Sequence, residues 1–125
     1  MKQAVADVFA FHDAMGVPCG DKPALISPDR EALRLNLMNE EFEELWQAVR
    51  DGNLIEIADA CADLCYVVIG TAIEYGIPLD VVWAEVHRSN MAKADPATGK
   101  VRFREDGKVL KPEGWKPPDI AAILR

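Results

Sequence analysis

The sequence predicts an all-α protein, a four-helix bundle with a short C-terminal β-hairpin and an irregular tail. Three observations carry that reading. Apolar residues recur every three or four positions over four stretches of residues 2–93. Clusters of Gly, Pro, Asp and Asn separate those stretches. Only after Gly99 does the period change to two.

The first helix spans residues 2–14, with Val5, Val8, Phe9 and His12 at helical spacing. Gly16, Pro18, Gly20 and Pro23 then impose a loop. Ser27 or Asp29 caps a second helix running from about Asp29 to Arg50, with Pro28 suited to its first turn. Its expected core stripe is Leu35, Met38, Phe42, Leu45 and Val49, widened by Leu37 and Trp46. Gly52 ends it in a left-handed cap. The third helix, from Leu54 to Tyr75, carries one charge between Ala60 and Ile73, Asp63. A helix apolar nearly all round predicts burial at a bundle centre. After Gly76-Ile77-Pro78 a fourth helix runs to about Lys93. Val101 and Phe103 then alternate with Arg102 and Arg104, and Asp106-Gly107 predicts a two-residue hairpin turn. The end around Trp115-Lys116-Pro117-Pro118 reads as irregular.

The chain of 125 residues predicts one domain, with residues 95–125 appended to the helical body. A net charge of −7 disfavours a nucleic-acid polymer as partner, because duplex binding needs a basic footprint. No apolar run approaches the ~18 residues of a membrane span. The N-terminus, with Asp7 and Asp13, lacks a secretory apolar region, so a cytoplasmic protein is expected. Cys61 and Cys65 share one helical face and read as reduced, packed thiols; Cys19 is a lone thiol without activating neighbours. Residues 1–99 hold seventeen acids and seven bases, whereas residues 100–125 hold four acids and seven bases. Such a basic end fits either a tail docked on the acidic body or a flap facing phosphate.

The acids are arranged for chemistry. Glu40, Glu41, Glu43 and Glu44 crowd one turn of the second helix, with Glu41 and Glu44 on one face. Alone, such a run is a solvated face. Glu56, Asp59 and Asp63 form one stripe of the third helix, and Asp63 is flanked by Cys61, Ala62, Leu64 and Cys65. A buried carboxylate must be paired, protonated or bound to metal. Arg34, Arg50, Arg88 and Lys93 are the nearby candidates for an ion pair. The short connection Asp51–Asn53 makes the two helices antiparallel neighbours, so the acidic turns face one another. Carboxylates converging with few bases predict a hard divalent ion, Mg²⁺ or Mn²⁺, and a phosphate-bearing substrate. Asn90 and Lys93, three apart on the fourth helix, are the expected phosphate-holding groups, with Arg88 and His87 as weaker candidates.

EEFEEL, ADLCYVVIG and EVHRSNMAK resemble segments of the all-α nucleoside-triphosphate pyrophosphatases, the MazG-like and phosphoribosyl-ATP-pyrophosphohydrolase-like enzymes. The tail DGKVLKPEGWKPPDI is similar to a bacterial and phage subgroup of them. The resemblance implies Mg²⁺-dependent cleavage of a nucleoside triphosphate to monophosphate and pyrophosphate, with house-cleaning of non-standard nucleotides as a role. It implies metal ligands at Glu41, Glu44 and Asp63 and a homo-oligomer, dimer or tetramer. The family's usual glutamate falls at Ala60, so Asp59 is the expected substitute ligand. Glu40 is the candidate to orient or deprotonate the attacking water. The same departure supports a second reading, a catalytically degenerate nucleotide binder or regulator. A di-iron bundle is excluded because neither His12 nor His87 stands three after a glutamate. Phe11, Asn36, Trp46 and Tyr66 are the groups expected to set base preference.

Overall fold

In a computed structural model, which describes all of residues 1–125, the elements follow in the order α1 (Lys2–Met15), α2 (Pro28–Asp51), α3 (Leu54–Glu74), α4 (Leu79–Met91), β1 (Arg102–Phe103), β2 (Val109–Leu110) and α5 (Ile120–Leu124). The chain divides into two units, Met1–Leu79 and Asp80–Arg125, ahead of the position 95 at which the sequence reading begins its appended segment.

In the first unit, α2 and α1 both pack on α3. Ser27 caps α2, its Oγ accepting from the Arg30 N–H at 3.3 Å, with Pro28 in the first turn. Gly52 ends α2 in the left-handed conformation, and Asn53 caps α3 by accepting from the Glu56 N–H. This tight connection fixes α2 and α3 as antiparallel neighbours. Val8, Ile69 and Ile73 form the apolar centre, with Ala4, Val5, Cys19 and Leu79 against it. The loop after α1 is laced to the end of α3, Gly20 N–H donating to the Ile73 carbonyl and Ala24 N–H to that of Tyr75. Gly76 takes φ +67° there, and a Cβ on it would collide with the Lys22 backbone.

Burial corrects the expected core. Burial on α3 is concentrated in its second half, through Ile69, Gly70, Ala72, Ile73 and Glu74, with Ala60 the one buried residue before them, while Leu54, Ile55, Cys61 and Cys65 are exposed. The thiols are therefore free but not packed. On α2, Met38 and Leu45 are half-buried, but Leu35, Phe42, Trp46 and Val49 face solvent. Within this unit two neighbouring helices cover one side of α3, and a helix apolar all round keeps its other side open.

In the second unit, Trp115 Nε1 donates to the Ser89 carbonyl at 2.8 Å, and the Asp119 N–H donates to Glu85, so the tail lies along α4. β1 and β2 pair antiparallel, Arg102 with Leu110 and Phe103 with Val109. The turn differs from the expected two-residue form. Gly107 N–H donates to the Arg104 carbonyl, Arg104 N–H donates to that of Lys108, and Gly107 takes φ +84°. That is a type I turn followed by a left-handed glycine, for which Asp-Gly is equally suited. The end is not wholly irregular either. Asp119 accepts from the Ala122 N–H and caps the short helix α5.

Candidate active site

A cleft of about 450 Å³ opens between α1, α2 and α3 in the first unit. Its wall on α2 is Arg30, Leu33, Arg34, Leu37 and Glu41, spaced by three and four so that they share a face. Asp63, Tyr66 and Val67 of α3 line the opposite wall, and Phe11 of α1 meets Tyr66 edge-on at 5.6 Å between ring centroids. The two ends of the cleft differ in charge.

At one end, Glu41, Glu44 and Asp63 each offer a carboxylate oxygen, all within 4.8 Å of one another. No arginine or lysine pairs with any of the three. Glu41 Oε2 is buried and has no hydrogen-bond partner. Burial, then the neighbouring Glu44 and Asp63 charges, push the Glu41 carboxyl above the ordinary glutamate range. A buried acceptor-only group facing two further carboxylates is an oxygen-rich donor set suited to a hard divalent cation.

At the other end the carboxylate is neutralised. Glu74 is buried, and Arg30 grips it through Nε and Nη2, both at 2.8 Å. Arg34, also buried, adds Nη1 at 3.1 Å and spends Nε on Thr71 Oγ1 and Nη2 on the Val67 carbonyl. His12 Nδ1 lies 3.1 Å from the Pro18 carbonyl, which can only accept, so Nδ1 is the donor there. Gly70 makes room for both groups, since a Cβ there would lie 2.6 Å from Arg34 Nη2 and 2.8 Å from His12 Nε2.

The family model for phosphoribosyl-ATP pyrophosphohydrolase matches residues 8–90, a span that contains the cleft and its acids. The chain belongs to the phosphoribosyl-ATP pyrophosphohydrolase family. A crystal structure from Exiguobacterium sp. 255-15, described as a candidate NTP pyrophosphohydrolase, shares 27% identity with a TM-score of 0.54 over 97% of this chain and 93% of that one. An uncharacterised protein of Acanthamoeba polyphaga mimivirus is 50% identical over 54 residues, 43% of this chain. The match spans only 22% of that longer relative.

Of the ligands expected in this member of the phosphoribosyl-ATP pyrophosphohydrolase family, Glu41, Glu44 and Asp63 come together and Asp59 stands apart. Asp59 is exposed, whereas its neighbour Ala60 is 4% exposed, so a methyl group fills the buried side of that turn. Glu40 is exposed and outside the group of three, though its charge contributes to the raised Glu41. In the second unit Lys93 donates to Asn90 Oδ1 at 2.8 Å and lies over the Trp115 ring, which Lys111 covers at 4.4 Å. Arg88 is bound by Glu85 through Nε and Nη2, and the guanidinium holds the Glu85 carboxyl down at about 2. Phe11 and Tyr66 line the cleft as expected of base-contacting groups, whereas Asn36 and Trp46 do not.

The sequence reading missed His12, Arg30, Glu74 and the true role of Arg34. One signal was available. Glu74 follows a nearly uncharged run and demands a cation, and Arg30 and Arg34 lie on the cleft face of α2 with Glu41.

Proposed function

We propose that this chain is a divalent-metal-dependent nucleoside-triphosphate pyrophosphohydrolase, releasing nucleoside monophosphate and pyrophosphate. The observation that carries the reading is the unpaired group Glu41, Glu44 and Asp63, with Glu41 Oε2 buried and unpartnered. These residues would hold Mg²⁺, or Mn²⁺ in its place, as three oxygen donors. The ion when bound supplies Lewis acidity toward the phosphate oxygens and the attacking water. Glu40, exposed beside the group, takes the proton that water loses as its oxygen bonds to phosphorus. The α–β anhydride bond breaks and pyrophosphate carries away the bridging oxygen. In the second unit Asn90 and Lys93, paired with each other, are the candidate phosphate-binding groups, with Arg88 in a lesser role because Glu85 occupies its guanidinium.

The likeness to the Exiguobacterium protein and the family membership support the hydrolase reading. Cleaning the nucleotide pool of non-standard triphosphates, in the cytoplasm, is the role such chemistry would serve. No helix is long and apolar enough to cross a membrane. A homo-oligomer, dimer or tetramer, is proposed from the exposed apolar row Leu35, Phe42, Trp46 and Val49 on α2 with Leu54 and Ile55 on α3.

Ala60 supports a second reading, a nucleotide binder that has lost turnover. Steady-state pyrophosphate release with Mg²⁺, Mn²⁺ or EDTA tests both. Turnover that needs metal and falls at least 100-fold in Glu44→Gln and Asp63→Asn is the expected result. Nucleotide binding without turnover would favour the degenerate binder.

A further inference from the structure

Four cations of the second unit gather around Trp115. The indole Nε1 donates to the Ser89 carbonyl, which fixes the ring against α4 one residue before Asn90. The Trp115 backbone N–H donates to the Pro112 carbonyl, and that turn, with Gly114 at φ +78°, brings the ring back to Lys111 just after β2. Lys111 Nζ stands 4.4 Å from the ring centroid and Lys93 Nζ 5.5 Å. A hollow of about 260 Å³ lies against the same residue, lined also by Arg88, Lys116 and a single acid, Glu113.

These cations are not equally committed. Glu85 holds Arg88 through two hydrogen bonds. Lys93 donates to a neutral oxygen, that of the Asn90 amide, and neither Lys93 nor Lys111 forms an ion pair. An aromatic ring attracts an ammonium through its quadrupole and leaves the positive charge intact. Two ammoniums on one ring therefore repel each other, and no carboxylate relieves them. Phosphate oxygens would, because each ammonium keeps spare N–H donors and acts on phosphate as a point charge. One ammonium comes from α4 and the other from the end of β2, so an anion with two charged centres can engage both. We infer that Lys111 joins Lys93 at Trp115 in binding a diphosphate group. The inference rests on the proposed function for the source of that group, which is either a nucleotide's phosphate chain or the pyrophosphate released from it. A tail docked on α4 thereby presents a phosphate-binding cation.

The test uses the unmodified ¹⁵N-labelled chain in EDTA, so that no turnover is needed. The Trp115 Nε1–H resonance, identified by its absence in Trp115→Phe, is followed during titration with inorganic pyrophosphate. A saturable shift is expected, with affinity roughly 10-fold weaker in Lys111→Gln and largely kept in Lys111→Arg. A nucleoside diphosphate that shifts the resonance equally supports a site for the nucleotide's phosphate chain, and a response to pyrophosphate alone supports a product site. No saturable shift, the same shift with sodium chloride at matched ionic strength, or an affinity unchanged in Lys111→Gln would each overturn the assignment. A chain that binds pyrophosphate at Trp115 yet hydrolyses no nucleotide would keep this site and lose the proposed activity. Metal-dependent turnover without this binding would do the reverse.

Discussion

Arg34 closes on Glu74 at 3.1 Å and not on Asp63, although both acids belong to the helix that Arg34 faces. That pairing divides the α2–α3 surface into a neutralised end and an uncompensated end. Arg34, one of the four cations the sequence offered as partner for Asp63, is spent three turns away. Asp63 is left with Glu41 and Glu44, and no arginine or lysine pairs with the cluster.

Removing one charge from the acid cluster should separate stability from activity. Glu41→Gln and Asp63→Asn relieve like-charge repulsion, so in EDTA the melting temperature is expected to rise. Metal-dependent turnover is expected to fall at least 100-fold in the same proteins. Thermal melts and pyrophosphate assays on one preparation check both signs.

The raised Glu41 carboxyl sets a pH dependence. Between the unfolded glutamate value and the higher folded one, the folded state binds more protons than the unfolded state. Stability without metal therefore falls as pH rises through that window. Mg²⁺ competes with the proton for Glu41, so its stabilising effect is expected to be larger at pH 7.5 than at pH 4.5. Melting in EDTA and in saturating Mg²⁺ at the two pH values measures it.

The Arg30–Glu74–Arg34 group should respond like a buried ion network. Glu74→Gln leaves Arg34 buried without its counter-charge and is expected to cost about 3 kcal/mol. Urea unfolding reads that loss directly.

Gly70 tests the packing around the same group. Gly70→Ala places a methyl against Arg34 and His12 and is expected to destabilise by about 1–3 kcal/mol. Gly→Ala in an exposed helix normally stabilises, so the sign itself is diagnostic.

Helix boundaries and the acid cluster were legible because their signals are local. Ser27-Pro28, Gly52 and Asn53 mark ends by backbone chemistry, and the spacing of Glu41, Glu44 and Asp63 survives any packing that makes α2 and α3 neighbours. Burial was not legible in the same way. Phe42, Trp46 and Val49 read as core because periodicity reports which face is apolar, not what covers it. Asp59 shows the limit of register, since one residue separates an exposed carboxylate from the buried Ala60. The Glu74 network depends on residues 33 to 44 positions apart, and no local pattern names such partners. The two-residue turn failed because Asp-Gly suits both hairpin types and only strand register chooses between them.

The most direct test is ³¹P NMR of a nucleoside triphosphate incubated with the unmodified chain and Mg²⁺. The expected spectrum loses the β-phosphate triplet and gains one pyrophosphate and one monophosphate signal in equal molar amounts, with no orthophosphate. An unchanged triphosphate across standard and modified bases, or release of orthophosphate with diphosphate, would contradict pyrophosphohydrolysis at the Glu41, Glu44 and Asp63 site.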